Sequence, residues 1–468
     1  MTDVYADLAA FQALPRTSSL ALSRDGNRLV TCSASLDPKG VRWVPALWEV
    51  DPTGTRPAVR LTRSGKGETG PVFAADGTLL FTSARPDPDG DSEDDAPAAL
   101  WALPVAGEAH VIASRPGGVS GVRTAAGTVL ALSDTLPGAI DGEADEQRRT
   151  ARKDAKVNAV LHTGYPVRYW DHDLGIGQNR LLAADLDSPA WRELTPIPGR
   201  ALHEASTALA PDGRTAVTTW AVSVAHGASR STLVVIDTVT GERRVLLDDP
   251  AADLGSPVVS PDGRWVAAIS EQLSTPTEPV DSLLVVVALD GSGPARPVAV
   301  GWDRWPAEHH WTPDSEGLVV TADEGGRRPV FHIDIESGQV TRLTGDAGHY
   351  TDLQVAPDGV SVFALRDAVD APPAPVRLDS RTPDQEPVAL QGPPTAPTPP
   401  GSLAEVTTTA ADGTTLRSWL VLPADEGPHP LVLWVHGGPL GSWNSWSWRW
   451  CPWLLAAQGY AVLLPDPA

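Results

Sequence analysis

The chain has 468 residues, 41% of them hydrophobic and 20% charged, which predicts a globular protein with two or more domains. Its formal net charge of −23 argues against a nucleic-acid partner, because phosphate binding needs clustered lysine and arginine. Two cysteines, Cys32 and Cys451, provide neither a disulfide framework nor a metal knuckle. We expect no metal and no cofactor.

The start of the sequence does not resemble a signal peptide, so we expect none. Residues 1–16 are acidic and lack the long apolar stretch of a signal peptide. The longest aliphatic run, residues 283–289, is too short to cross a bilayer. We therefore expect a cytoplasmic protein with no membrane partner. We also expect a short N-terminal helical segment over residues 1–14. The sequence leaves open whether the protein forms a homo-oligomer.

A repeat begins directly after this segment. Each copy has an apolar strand, a turn of the Pro-Asp-Gly type and a second apolar strand, and Asp-Gly supplies the positive φ that a tight hairpin needs. The turn positions are 44–52 residues apart except for one gap of 85 residues. They are Asp25, Asp76, Gly127 (in a degenerate copy), Asp212, Asp262, Asp314 and Asp358.

Each repeat has room for four short strands. One such sheet cannot hide both apolar faces, whereas sheets stacked radially around an axis can. The sequence therefore predicts a seven-bladed β-propeller over residues 15–370. A two-sheet sandwich would not repeat the hairpin in this way.

Two segments interrupt the repeat. The long gap holds an insertion, residues 137–177, whose charges at every turn predict an exposed helix; a lid or an oligomer contact is the alternative. An acidic stretch from Asp87 begins like a calcium loop. It has Ser92 where the loop needs glycine and Ala98 where it needs glutamate, so we expect a solvated loop there.

Prolines crowd residues 371–402, which predicts a stiff, extended linker. Beyond it, residues 403–468 contain a hairpin around Asp412 and Gly413 and then an apolar strand of the kind buried on both faces of a sheet. A short helix that stops at Gly459 and another apolar strand follow. This order predicts the first, incomplete part of an α/β-hydrolase domain.

The first of these buried strands ends in His436-Gly437-Gly438-Pro439. Acyl transfer places negative charge on a carbonyl oxygen, and a backbone N–H stabilises it only if no side chain obstructs its approach. Pro439 has no N–H. We therefore expect Gly438, and next Gly437, to provide the oxyanion hole, with His436 and Pro439 orienting the loop. A tight connection without a catalytic role is the alternative.

A seven-fold repeat, a linker and then "LVLWVHGGP" with "LLAAQGYAVLLPD" resemble the prolyl oligopeptidase family of serine peptidases, in particular its acylaminoacyl-peptidase and dipeptidyl-peptidase-like branch. The resemblance covers essentially the whole chain. It implies a propeller that restricts entry to short peptides and a hydrolase domain with a Ser-Asp-His triad that acts through an acyl-enzyme.

One departure from that family is decisive. No Gly-x-Ser-x-Gly motif occurs in the 468 residues, and Ser442 and Ser445 are expected to be ordinary loop serines. The triad is therefore expected beyond residue 468, with the chain truncated before the catalytic serine and inactive alone. The alternative is a non-catalytic propeller that binds peptides or partner proteins.

Overall fold

The computed structural model describes residues 3–87, 96–162, 164–169, 172–438 and 440–466. Most of the acidic stretch after Asp87, and also Pro439, lie outside these residues. The described chain is mostly β. After a short helix, α1 (Leu8–Gln12), seven four-stranded antiparallel sheets follow one another, and an eighth sheet contains the last described residues.

The first three sheets contain residues 16–193. Sheet 1 has β1 (Arg16–Leu22), β2 (Leu29–Leu36), β3 (Trp43–Val50) and β4 (Val59–Arg60). Sheet 2 has β5 (Thr69–Phe73), β6 (Leu79–Ser83), β7 (Ala99–Leu103) and β8 (His110–Ala113). Sheet 3 has β9 (Ser120–Ala125), β10 (Thr128–Thr135), β13 (Gln178–Asp185) and β14 (Ser188–Glu193), with α2 (Gly142–Asp154), β11 (Arg168–Tyr169) and β12 (His172–Asp173) inserted after β10.

The next four sheets have no such insertion. Sheet 4 has β15 (Thr207–Leu209), β16 (Thr215–Ser223), β17 (Ser229–Asp237) and β18 (Arg243–Leu247). Sheet 5 has β19 (Ala252–Val259), β20 (Trp265–Gln272), β21 (Asp281–Ala288) and β22 (Arg296–Val298). Sheet 6 has β23 (Pro306–Trp311), β24 (Gly317–Ala322), β25 (Val330–Asp334) and β26 (Val340–Arg342). Sheet 7 has β27 (His349–Val355), β28 (Ser361–Ala368), β29 (Ala371–Asp379) and β30 (Val388–Ala389).

The repeated turns lie where the sequence predicts them, between the first and second strands of each sheet. In sheet 1 the Asp25 carboxylate accepts a hydrogen bond from Asn27 N at 3.1 Å, and Gly26 has a φ of +75°. Asp212 and Asp262 accept the equivalent hydrogen bond from the residue two positions on. Since Asp fixes the turn and glycine adopts positive φ without strain, the same hairpin can form wherever the repeat keeps Asp-Gly; the third copy lacks the aspartate, and the sixth has Ser315 at a φ of +63°.

Each of the seven sheets takes its strands from one continuous stretch of chain, so no strand is exchanged between sheets 1 and 7. Their first strands nevertheless contact each other, as do the first strands of all successive sheets. Apolar side chains of sheet 1 pack against Phe363 and Leu365 of sheet 7. Leu22 N also donates a hydrogen bond to Gln354 Oε1 at 3.3 Å. Side-chain packing, rather than a shared ladder, therefore joins the first sheet to the last.

The predicted linker begins later than residue 371. Residues 371–379 form β29, which pairs with β28 along its length, although Pro372, Pro373 and Pro375 belong to it. The outer strand β30 is two residues long and pairs only with Val376 and Arg377. Most of β29 is consequently free on that side, so a proline whose nitrogen faces it costs no ladder hydrogen bond.

The predicted helix in the insertion is α2, and it is anchored as well as exposed. Asp141 caps it by accepting a hydrogen bond from Ala144 N at 2.8 Å. Asp145 is fully buried: its carboxylate accepts hydrogen bonds from Leu136 N at 2.8 Å and from Arg149 Nε at 2.9 Å. Within the described ranges, no helix has the length and apolarity needed to span a membrane.

His309 is a buried titratable group of β23. Its side chain is 2% exposed, and the burial, together with the neighbouring His310, lowers its pKa from 6.5 to about 4. The folded protein therefore keeps His309 neutral at a pH at which the unfolded chain protonates it. Folding stability contributed by this neutral group is complete above pH 6.5 and decreases as the pH falls towards 4.

We predict that acidification from pH 7 to pH 5 removes about 2 kcal/mol of unfolding free energy through His309 alone. H309Q, which replaces the imidazole by a neutral amide, should show a correspondingly weaker pH dependence in urea unfolding. H226Q, which changes an exposed histidine, is the matched control. Equal pH dependence in H309Q and the wild type would contradict the assignment.

Candidate active site

The eighth sheet brings the ends of two parallel strands together. It contains β31 (Ser402–Thr409), β32 (Thr415–Leu422), β34 (Ala461–Pro465) and β33 (Leu431–Leu433) in that spatial order, and α3 (Trp453–Ala456) precedes β34. Strands β33 and β34 are parallel, with Leu433 opposite Leu463. Because parallel strands end at the same edge of a sheet, the turn after β33 lies beside the residue after β34.

Strand β33 is shorter and less buried than the sequence predicts. Leu431 is 59% exposed and Leu433 is 56% exposed, whereas Val462 and Leu464 of β34 are fully buried. The reason is the strand order: β33 lies at the edge of the sheet, so in the described part of the chain it has a neighbour on one side only. The expected burial on both faces is therefore wrong for β33.

The turn after β33 requires glycine at one of its two glycine positions. Gly438 has a φ of +152°, and a Cβ there would lie 2.8 Å from Leu440 N. At Gly437 a Cβ would meet no atom within 4 Å. Both glycines are exposed, and neither amide donates a hydrogen bond to any other described residue. The Gly438 amide is thus unobstructed, while the role expected for Pro439 stays a prediction.

His436 fixes the peptide between the two glycines. Its Nδ1 lies 2.8 Å from the Gly437 carbonyl oxygen, which can only accept, so Nδ1 carries the donated proton. The C=O of Gly437 and the N–H of Gly438 belong to one planar trans peptide and point in opposite directions. A carbonyl held towards the imidazole therefore directs the Gly438 N–H away from it. The imidazole in turn contacts the edge of Trp443, with the ring centroids 6.0 Å apart.

Asp466, directly after β34, was missed by the sequence analysis. Its carboxylate accepts hydrogen bonds from Trp443 N at 2.8 Å and from Ser442 Oγ at 2.7 Å. Arg417 of β32 forms an ion pair with the same carboxylate, and Asp466 N donates to Arg417 O at 2.9 Å. The Ser442 hydroxyl therefore anchors its own loop to Asp466. The only sequence signal for Asp466 was its position at the end of a strand parallel to β33.

Two aspartates of the preceding sheets hold the same loop from the other side. Asn444 Nδ2 donates to Asp323, which directly follows β24, at 2.9 Å. Trp446 N donates to Asp367 of β28 at 2.7 Å, and the other carboxylate oxygen of Asp367 lies 3.0 Å from His349 Nδ1. Sheets 6 and 7 thus contact the residues that directly follow the glycine turn.

The N-terminal segment also packs against this region. Tyr5 and Phe11 share a buried cluster with Trp446 and Trp453, whose indole Nε1 donates to Val369 O at 2.8 Å. Most tryptophans after the turn therefore contribute to packing. No group of three side chains suited to binding a metal ion occurs among the described residues.

Comparisons with known proteins agree with this architecture. No protein-family model matches the sequence. A probable dipeptidyl-peptidase 5 of Aspergillus clavatus is 30% identical over 230 residues, which is 46% of this chain and 30% of that protein.

Two solved structures are similar in fold. An acylaminoacyl peptidase of Pyrococcus horikoshii has a TM-score of 0.72 and 12% identity, with 98% of this chain and 66% of that one covered. The β-propeller domain of the trilobed protease of Pyrococcus furiosus, described as having an open velcro topology, has a TM-score of 0.54 and 10% identity, with 80% and 95% covered. The mostly β architecture is thus that of known propeller proteins.

The chain is thus similar in part of its sequence to a probable dipeptidyl-peptidase 5 and in its fold to an acylaminoacyl peptidase, and the sequence match covers 30% of the length of that curated relative.

Proposed function

We propose that this chain provides the substrate-filtering propeller and the oxyanion turn of a serine peptidase that hydrolyses short peptides through an acyl-enzyme. Sheets 1–7 are the seven blades, supported by the closed series of contacts between their first strands. Residues 402–466 are the first part of an α/β-hydrolase domain, supported by the parallel pair β33 and β34 and by the helix before β34.

The observation that carries this proposal is the unobstructed Gly438 amide. When a nucleophile attacks a peptide carbonyl, the C=O electron pair moves onto oxygen, and a fixed N–H about 3 Å away stabilises that charge. Gly438 presents such an N–H, Gly437 is the second candidate donor, and His436 holds the intervening peptide. A connection without a catalytic role has no need of a donor that is both exposed and held in place.

The propeller is proposed to gate access because it contacts the site directly. Asp323 and Asp367 of sheets 6 and 7 bind the backbone and side chains that follow the turn. Peptides that reach the turn must therefore pass close to the ends of these sheets, which favours short substrates. The proteins that this chain resembles are named dipeptidyl-peptidase and acylaminoacyl peptidase, and the proposed activity belongs to that general class.

The absence of Gly-x-Ser-x-Gly predicts that the 468-residue polypeptide neither hydrolyses chromogenic dipeptidyl or acylaminoacyl substrates nor reacts with a fluorophosphonate probe. In-gel detection of the probe, followed by peptide mass spectrometry, is the measurement. Covalent labelling of any serine, Ser442 included, would contradict the assignment of the nucleophile to a residue outside this sequence.

Gly438 is tested in the longest polypeptide that the gene encodes, with the same substrates. In G438A the new Cβ collides with Leu440 N and forces φ away from +152°, so the amide turns away from the substrate. We expect kcat to fall about 100-fold with little change in KM, as for loss of one oxyanion donor.

G437A is the matched comparison, because alanine keeps the N–H and meets no atom within 4 Å. It should cost much less than G438A. An unchanged kcat in G438A would refute the oxyanion role. If the longest polypeptide itself hydrolyses no peptide, the non-catalytic peptide-binding propeller becomes the better account.

A further inference from the structure

Asp466 is buried at the edge of the sheet where β33 and β34 end. It is 9% exposed, and its carboxylate oxygens accept hydrogen bonds from Ser442 and Trp443 of the loop and from Arg417 of β32. A carboxylate in such a place is costly unless its charge is paired and its oxygens are hydrogen-bonded. Arg417 supplies the opposite charge.

The position of Arg417 depends on sheet 6. A Cβ at Gly326, in the connection between β24 and β25, would overlap the Arg417 guanidinium. Arg417 also stacks over Trp419, with 4.6 Å from the guanidinium carbon to the ring centroid, and Arg327 approaches the same ring. The ion pair between Arg417 and Asp466 is therefore held between the eighth sheet and the preceding one.

From this ion pair a continuous series of contacts leads to the glycine turn. Asp466 holds Trp443 by its backbone N–H, the Trp443 ring contacts the His436 imidazole, and His436 holds the Gly437 carbonyl. Each contact restricts the next one, and the last of them sets the direction of the Gly438 N–H.

We propose that Asp466 is a positioning residue for the oxyanion turn: it fixes the direction of the Gly438 N–H through Trp443 and His436. The proposal rests on the proposed function for its catalytic meaning, but the geometry it describes exists without substrate. Asp466 touches no reacting atom and acts only through the loop that it holds.

The sequence allows a selective measurement of this amide. Gly-Gly pairs occur at 117–118, 325–326 and 437–438 and nowhere else in the chain. Glycine labelled with both ¹³C at the carbonyl and ¹⁵N at the amide therefore gives three cross-peaks in a carbonyl-filtered NMR spectrum of the whole 468-residue protein. These report Gly118, Gly326 and Gly438, and Gly118, in the connection between sheets 2 and 3, serves as the internal reference.

In D466N one of the two carboxylate oxygens becomes an NH2 donor, so the side chain can accept from Trp443 N or from Arg417 and Ser442 but not from both sides, and the loop loosens. We expect the Gly438 cross-peak to move by more than its line width or to broaden beyond detection, with Gly118 unchanged. Gly326 is expected to move as well, because it borders Arg417. S442A removes one hydrogen bond and no charge, so it should move Gly438 less and leave Gly326 in place.

D412N is the matched control, since Asp412 is an exposed carboxylate in the hairpin turn of the same sheet. It should leave all three cross-peaks in place. Superimposable Gly438 cross-peaks in D466N and the wild type would overturn the proposal. If D466N unfolds and displaces Gly118 too, S442A decides: an unmoved Gly438 cross-peak in that folded variant overturns it.

An activity readout separates this proposal from the proposed function. In the longest polypeptide that the gene encodes, D466N should lower kcat about tenfold or more with little change in KM, because a misdirected donor weakens transition-state binding only. A wild-type polypeptide without peptidase activity would refute the proposed function, while the NMR result would still decide whether Asp466 orients Gly438.

Discussion

The architecture depends on one constraint: a four-stranded antiparallel sheet with two apolar faces cannot be stable alone in water. Every sheet from 1 to 7 places small and branched apolar residues on both faces, and the buried clusters lie between neighbouring sheets. Sheet 1 must therefore pack against sheet 7. It does so through side chains, because no strand is shared between the two sheets. The Asp-Gly hairpins let the same unit be built repeatedly.

The ends of these sheets also provide fixed polar groups. Asp323 and Asp367, at the ends of the second strands of sheets 6 and 7, accept hydrogen bonds from the loop after the glycine turn. Asp466 holds that loop from the eighth sheet. A catalytic amide must be preorganised to stabilise charge at the moment it forms. In the account proposed here the propeller therefore has two roles, since it filters substrates and supports the loop that carries the amide.

Much of this structure could be predicted from local sequence signals, whereas the long-range contacts could not. The hairpin turns at Asp25 and Asp212, helix α2 and the strand after Gly459 follow from turn chemistry and periodicity, which act over a few residues. The ion pair between Arg417 and Asp466 joins residues 49 positions apart, and Tyr5 donates to Pro397 O across 392 positions. No spacing rule reveals such pairs.

Two errors of prediction have the same physical origin. Prolines in residues 371–379 suggested a linker, but the short partner strand leaves that side of β29 without a ladder to disrupt. The apolar run in β33 suggested burial on both faces, but its position at the sheet edge leaves Leu431 and Leu433 exposed. In both cases the number of neighbouring strands, which the sequence does not encode locally, decided the outcome.

The most direct measurement of the central claim is a crystal structure of the longest polypeptide encoded by the gene after reaction with a peptidyl phosphonate. The account predicts that the phosphonyl oxygen lies within about 2.7–3.1 Å of Gly438 N, with the Gly437 carbonyl still bound by His436. A phosphonyl oxygen held by other donors, with the Gly438 N–H directed away from it, would contradict the account.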